Sequence, residues 1–266
     1  MKKFIYFASC LAAFSVYTAQ TAYGEQTDSL TTAQIIEKNA TARGGLEAWR
    51  AVNSMTMSGQ MGAGGKQDTM LPFVMNMKRP HKTRLEISFQ DQPAVQVYDG
   101  TQGWKVRPYL GRNEVEPFTT AETKAATGWQ ELDGPLIDYA KKGTKIDLQG
   151  METVEGKNTY KLKLTMKNGE QRNLWVDAKS FLEVKIDGEP RKLDNKVHQV
   201  AIFYRDFKKV NGFTIPYTTE TVVEGVPQTY KMTIQTVAMN PPLEDALFAK
   251  PRLELVKPTD SKVSAK

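Results

Sequence analysis

The sequence predicts a mainly β, α+β fold: an incomplete antiparallel β-barrel, or strongly curved sheet, with a helical lid. Three observations carry that expectation. About a dozen stretches alternate apolar and polar residues with period two, nearly all with the apolar residues on one side, as half-solvated antiparallel strands do. Turn residues separate many of these stretches in the manner of hairpins, Asn168-Gly169 and Asn211-Gly212 most clearly. Helical patterns interrupt the alternation at the start and in the middle. About ten to twelve strands closed completely would leave an interior too wide for side chains to fill, so these helices are expected to plug an open barrel.

Residues 1–24 read as a secretory signal peptide. Lys2 and Lys3 precede a nearly apolar run from Phe4 to Tyr17, and Ala22 and Gly24 are the small residues needed for cleavage near Gly24. The run is short for a retained membrane anchor. Cys10 is the only cysteine. Phe7-Ala8-Ser9-Cys10 resembles a lipoprotein cleavage box only faintly, because the apolar stretch ahead of it is short and Phe fits the first position poorly. The mature chain then lacks disulfides, thiolate metal sites and a cysteine nucleophile. Removing 24 of 266 residues leaves 242, enough for one large β domain over 25–250. The net charge falls from +6 to +4 with the loss of Lys2 and Lys3, and the charges are interspersed, so nothing points to nucleic acid. Residues 251–266 form a polar tail expected to be disordered.

The elements follow in order. Thr31 with Gln34 fits a capping box, and Ile35, Ile36, Ala40, Leu46, Trp49 and Val52 form an apolar stripe broken by Gly44-Gly45. Two helical pieces are expected, 32–43 and 46–52, either packed on the sheet as core or acting as a movable cover. Strands are expected near 53–61, 69–78, 83–89, 94–98 and 103–107, then a loop over 109–118. Arg79-Pro80 ends the second strand, since proline cannot donate to a ladder. Thr119 or Thr120 with Glu122 opens a short helix, and a second helix is expected over 135–141, stopped by Gly143. Further strands are expected at 144–149, 158–167, 171–177, 181–187, 198–209, 213–224 and 227–238. Pro241-Pro242 ends the sheet before a last helical turn over Leu243–Phe248.

Residue types suited to catalysis are sparse. His81 and His198 are far apart, and neither has a metal-ligand partner at suitable spacing. No Gly-x-Ser-x-Gly elbow occurs. Gly62-Ala63-Gly64-Gly65-Lys66 has the wrong glycine spacing for a phosphate loop, and Gln67 stands where Ser or Thr is needed, so it reads as a mobile hairpin loop. Glu114 with Glu116, and Glu131 with Asp133, read as solvated charge in polar loops. No enzyme, metal or cofactor is expected.

The apolar faces are more informative. Met55, Met57 and Met61 share one face of the first strand, Leu71, Phe73, Met75 and Met77 one face of the second, and Leu85, Ile87 and Phe89 one face of the third. Eleven methionines is a high count, and five lie on the first two of these faces, with Met70 opposite. Methionine is unbranched and polarisable, so it suits surfaces that accept ligands of variable shape, although it also packs ordinary cores. Trp49, Trp104, Trp129 and Trp175 divide in the same way between core and ligand platform. An apolar ligand-binding face is expected to comprise Met55, Met57, Met61, Phe73, Met75, Met77, Leu85, Ile87, Phe89 and Trp104.

Lys78-Arg79-Pro80-His81-Lys82-Thr83-Arg84, followed by Val97-Tyr98-Asp99-Gly100-Thr101-Gln102-Gly103-Trp104, resembles the LolA-type periplasmic lipoprotein carriers. Ala42-Arg43-Gly44-Gly45-Leu46 and Asp133-Gly134-Pro135-Leu136-Ile137-Asp138-Tyr139 resemble the outer-membrane lipoprotein-sorting branch of that superfamily. The resemblance implies an incomplete barrel whose lid covers an apolar cavity for acyl chains of lipoproteins or other lipids, received from an inner-membrane donor and passed to an outer-membrane acceptor. It also implies that Arg79 latches the lid by hydrogen bonds to lid backbone. The chain is longer than a compact carrier, with extra strands and the Gly-Gly break. The expected product is a monomeric periplasmic carrier; the alternative is an envelope lipid sensor that signals to a membrane partner through the same cavity.

Overall fold

The computed structural model describes residues 30–63, 69–89, 92–129 and 131–252. The chain first traces a six-strand meander: β1 (Ser54–Gly62), β2 (Met70–Lys78), β3 (Lys82–Phe89), β4 (Gln92–Tyr98), β5 (Gly103–Arg107) and β6 (Arg112–Pro117). It then resumes with β7 (Lys145–Val154), β8 (Lys157–Thr165), β9 (Gln171–Asp177) and β10 (Glu183–Asp187). A small separate hairpin follows, β11 (Arg191–Leu193) with β12 (Lys196–His198). The last strands are β13 (Val200–Val210), β14 (Phe213–Val223) and β15 (Thr229–Met239).

Thirteen strands form one antiparallel sheet in the order β6-β5-β4-β3-β2-β1-β15-β14-β13-β10-β9-β8-β7. The sheet is large and curved and does not close into a barrel. Two meanders are thus joined where β15 pairs with β1, from Met55 opposite Met239 to Met61 opposite Met232, with a β-bulge between Ser58 and Gly59. The sheet ends at β6 and β7, which carry Arg112, Glu114, Glu116 and Pro117, and Lys145, Asp147 and Glu152. Charges and proline on an edge discourage pairing with another chain.

Between the β6 and β7 edges, residues 118–129 and 131–144 lie over the face that carries Met55 and Met77, as a strap. The strap begins with α3 (Thr120–Trp129). A reciprocal cap opens α3: the Glu122 amide donates to the Thr119 hydroxyl, and the Thr119 amide donates to the Glu122 carboxylate. α1 (Thr32–Ala42) and α2 (Leu46–Arg50) complete the cover, and α1 has the expected Thr31/Gln34 capping box. From Thr31 on, the described residues form one compact unit.

Several expectations need correction. Residues 109–118 are not a plain loop. A 3-10 turn over Pro108–Leu110 leads into β6, where Glu116 is bridged to Arg107 and Arg112 rather than merely solvated. Residues 135–141 are turns, not a helix. Asp138 has φ +50°, which breaks helical continuation, although Leu136 and Ile137 are fully buried as an apolar stripe would require. β7 runs on to Val154, and Glu155-Gly156, both at positive φ, make a hairpin turn to β8. The expected strand from 198 begins at Val200, because residues 191–198 form the β11–β12 hairpin about Asp194-Asn195.

Apolar residues also occupy the outer face. Val95 and Val97 pack there with Trp104 against Phe248, Leu243 and Leu247 of the C-terminal segment, whose 3-10 turn spans Asp245–Phe248. Lys78 donates to the Leu243 carbonyl (2.6 Å) and pairs with Asp245 (2.8 Å), holding the segment down. On the other half of the sheet, Trp175 packs outward with Val154, Val184 and Phe203, under the ammonium groups of Lys185 (4.0 Å from the ring centroid) and Lys161 (5.2 Å). Alternation shows that a strand has two unlike faces. It does not show which face meets the concave side.

The Gly44-Gly45 break is set by a close approach. A Cβ on Gly44, at φ +117°, would lie 2.6 Å from the Gly212 carbonyl oxygen in the β13–β14 turn. Gly44→Ala is therefore expected to destabilise the protein by about 1–3 kcal/mol, read as a lower denaturant midpoint; an unchanged midpoint would refute the account.

Candidate functional site

Rows of side chains across the joined meanders build one wall of the site. Met239, Met55 and Met77 stand side by side on β15, β1 and β2, and Val237, Met57, Met75 and Leu85 form the next row, extending onto β3. At the following position of β1, Gly59 lacks a side chain because the β15 backbone lies there, a Cβ falling 2.0 Å from the Thr233 carbonyl oxygen, and Phe73, Tyr217 and Ile234 cluster beside it. α2 and the strap lie over the first row: Trp49, Val52, Leu132 and Ile137 pack with Met55 and Met77.

The packing is incomplete. A cavity of about 640 Å³ remains between the sheet and its cover. Met55, Met57, Met75, Met77 and Leu85 line it on one side, Ile186, Ile202, Ile215 and Met232 on the other, and Phe118, Ala126, Leu132 and Pro135 of the strap lie above. Charged groups also reach it, four acidic (Glu122, Glu131, Glu183, Glu189) and four basic (Arg43, Lys142, Arg172, Arg191). The hollow is oily with a charge-balanced polar fringe.

Five of the ten expected lining residues therefore border the cavity: Met55, Met57, Met75, Met77 and Leu85. Phe73, Met61 and Ile87 share their face but pack with Tyr217 and Ile234 beside it. Phe89 makes an edge contact with Tyr109. Trp104 lies on the outer face with Val97 and Phe248, so its place among the lining residues is corrected: its strand runs in the opposite phase. Trp49 borders the cavity from α2, Trp175 is on the outside, and the side chain of Trp129 lies outside the described residues. Of the glycine-rich loop, Gly64, Gly65, Lys66 and Gln67 also lie outside the described residues.

The cover is tied down by charge. Asp133, on the strap, is 1% exposed. Its carboxylate accepts from Arg79 (2.6 Å) and Lys142 (2.6 Å), and its carbonyl accepts from Arg43 (2.7 Å). Arg79 also donates to the backbone carbonyls of Val52 (2.8 Å) and Trp49 (3.2 Å), at the end of α2. Lys142 bridges on to Glu131. The pair Glu131/Asp133 is thus a folded-in ion cluster rather than solvated loop charge, because the strap lies down over Arg79. A second tie joins α2 to the strap, from Arg50 to Asp138. The hydrogen bond from Arg50, helped by Lys141, holds the Asp138 carboxyl down at about 2. A third joins α3 to β5, from Lys105 to Glu122 (2.6 Å). Burial pushes the Glu122 carboxyl up, but hydrogen bonds from Lys105 and Thr119 outweigh it and leave it below the usual range.

Sequence reasoning missed Arg43, Lys142, Arg172, Glu183 and Tyr204. Arg172 carried a signal: it stands in phase with buried Leu174 and Val176, where an apolar residue is expected. His81 is an exposed turn residue, and His198 bonds the Glu224 carbonyl (2.7 Å). Among the described residues no group of three or more His, Cys, Asp or Glu is placed to hold a metal ion. No described helix is long and apolar enough to cross a membrane.

Solved structures match this architecture. A LolA superfamily protein from Nitrosomonas europaea superposes with a TM-score of 0.54 at 14% identity, covering 84% of this chain and 99% of that one. The fold is LolA-like. A DUF1329 family protein from Desulfovibrio piger shares this LolA-like fold with a TM-score of 0.56 at 16% identity, over 83% of this chain and 98% of that one. An outer membrane lipoprotein-sorting protein domain from Vibrio parahaemolyticus does so with a TM-score of 0.54 at 12% identity, over 81% and 95%. No family model and no curated protein sequence matches the chain.

Two outcomes are expected of the LolA-like cover. Arg79→Leu leaves a folded protein in which amide exchange of residues 46–52 and 131–143 quickens by at least about tenfold, because the charged hydrogen bond to Asp133 and those to the Val52 and Trp49 carbonyls are lost together; equal exchange in both proteins would remove the latch role. Because the Asp138 value is depressed from 3.8 to about 2, its pairing stabilises the protein above the ordinary value and is lost as pH falls between the two. Asp138→Asn is thus expected to flatten the stability loss over that interval in acid titrations.

Proposed function

We propose that this protein is a non-enzymatic periplasmic carrier that takes acyl chains of lipoproteins or other lipids into its apolar cavity, for transport toward the outer membrane. One observation carries the reading: about 640 Å³ of hollow beneath a cover tied down by ion pairs, with a wall of methionines. Sites for small ligands typically enclose about 300–1,000 Å³. Each methylene withdrawn from water contributes about 0.8 kcal/mol, so ten would contribute about 8 kcal/mol before the costs of immobilisation. Methionine side chains can re-pack around chains of different length and unsaturation. The LolA-like fold and the export-type leader at residues 1–24 support the compartment and the class of cargo. The ties of Arg79 and Arg50 to the cover provide contacts that must break for loading and release.

Lipid extracted from protein purified from the periplasm is expected to contain stoichiometric acyl species. Delipidated protein should bind a fluorescent fatty acid saturably, and Met57→Trp with Met75→Trp should weaken this at least tenfold by filling the hollow. Lipid-free protein with no saturable binding would rule the carrier reading out.

A further inference from the structure

The oily cavity has a polar end that the carrier reading alone does not use. Arg43, at the C-terminus of α1, and Glu183, at the start of β10, both border it. Their side chains are each 9% exposed, and Arg43 Nη1 lies 3.5 Å from Glu183 Oε1, longer than a hydrogen bond. Arg43 Nε is buried without a hydrogen-bond partner among the described residues. Tyr204 of β13 borders the same space. Burial and, next, the Glu183 carboxylate push its phenol well up, so it stays a neutral donor.

Arg43 is held rigidly. Its guanidinium stacks on Trp49 (4.5 Å) and donates to the Asp133 carbonyl. Its own carbonyl accepts from the Trp49 indole (3.1 Å) and the Thr214 amide (3.0 Å). The sheet is also split here. Pairing of β10 with β13 runs from Asp187 opposite Ala201 to Lys185 opposite Phe203, and β13 continues past Tyr204 without it. In that gap lies a second, polar cavity of about 440 Å³, bordered by Glu155, Lys157, Asp177, Arg205 and Asp206. Glu183 and Tyr204 border both cavities.

We infer that Arg43, Glu183 and Tyr204 form a head-group site for an amphiphile with an uncharged, hydroxyl- or amide-bearing head, its chain lying along the methionine wall. The inference rests on the carrier reading and specifies its ligand. An arginine and a glutamate cancel, so the site offers donors and an acceptor but no net charge. A head that both accepts and donates fits between them. A free carboxylate meets Glu183, and a head without polar hydrogens leaves buried donors and acceptor unmet, which costs affinity.

Competition against a fluorescent acyl probe tests this with three ligands of one chain length: monopalmitoylglycerol, methyl palmitate and palmitate. The wild-type protein is expected to bind the glyceride at least tenfold tighter than either of the others. In Glu183→Gln and Tyr204→Phe that preference should shrink to within about threefold, with Tyr204→Phe deciding if Glu183→Gln does not fold. Equal binding of all three by the wild type, or an undiminished preference in a folded Tyr204→Phe, overturns the head-group site and leaves the carrier reading standing. No binding of any of the three overturns both.

Discussion

A carboxylate as buried as Asp133 must be compensated, and the way this chain compensates it organises the rest of the molecule. Arg79 comes from the end of β2, Lys142 from the far end of the strap, and Arg43 from the end of α1. Each belongs to a different part of the chain. Their convergence on one residue fixes where the strap and the first two helices lie relative to the sheet. The cover is thus held in two ways, by directional charged contacts around Asp133 and by Trp49, Val52, Leu132 and Ile137 packed on Met55 and Met77.

The need for a strap follows from topology. Two meanders joined at β1 and β15 place β6 and β7 at opposite margins of one sheet. The chain has to travel between them, and residues 118–129 and 131–144 lie over the face that carries Met55 and Met77. The strand order thus requires a long connection between the two edges, and this connection, together with α1 and α2, forms the cover. The strap is long and irregular because it must fit the ties at Asp133 and Asp138 rather than bury a regular stripe, which is why Leu136 and Ile137 are buried without belonging to a helix.

The hollow combines two kinds of surface. Its methionine wall is adaptable and weakly specific. Its polar end, where β10 parts from β13, is rigid: Arg43 is stacked, hydrogen-bonded and clamped by its own carbonyl.

By itself the sequence determined what local physics controls. Period-two alternation produced nearly every strand of the main sheet, capping pairs located the starts of α1 and α3, and Asn-Gly steps placed two hairpins. The same alternation made the methionine face legible, whereas the expectation for Arg79 came from the family resemblance and not from local physics. Tertiary structure decided what depends on phase and on long-range pairing. Val95, Val97 and Trp104 alternate as well as any other strand residues, but the C-terminal segment covers them on the outer face. The ion cluster around Asp133 joins residues 54 and 90 positions apart in sequence, and the Arg43–Glu183 pair joins residues farther apart still. No spacing rule brings such groups together; only the curvature of the sheet and the path of the strap do.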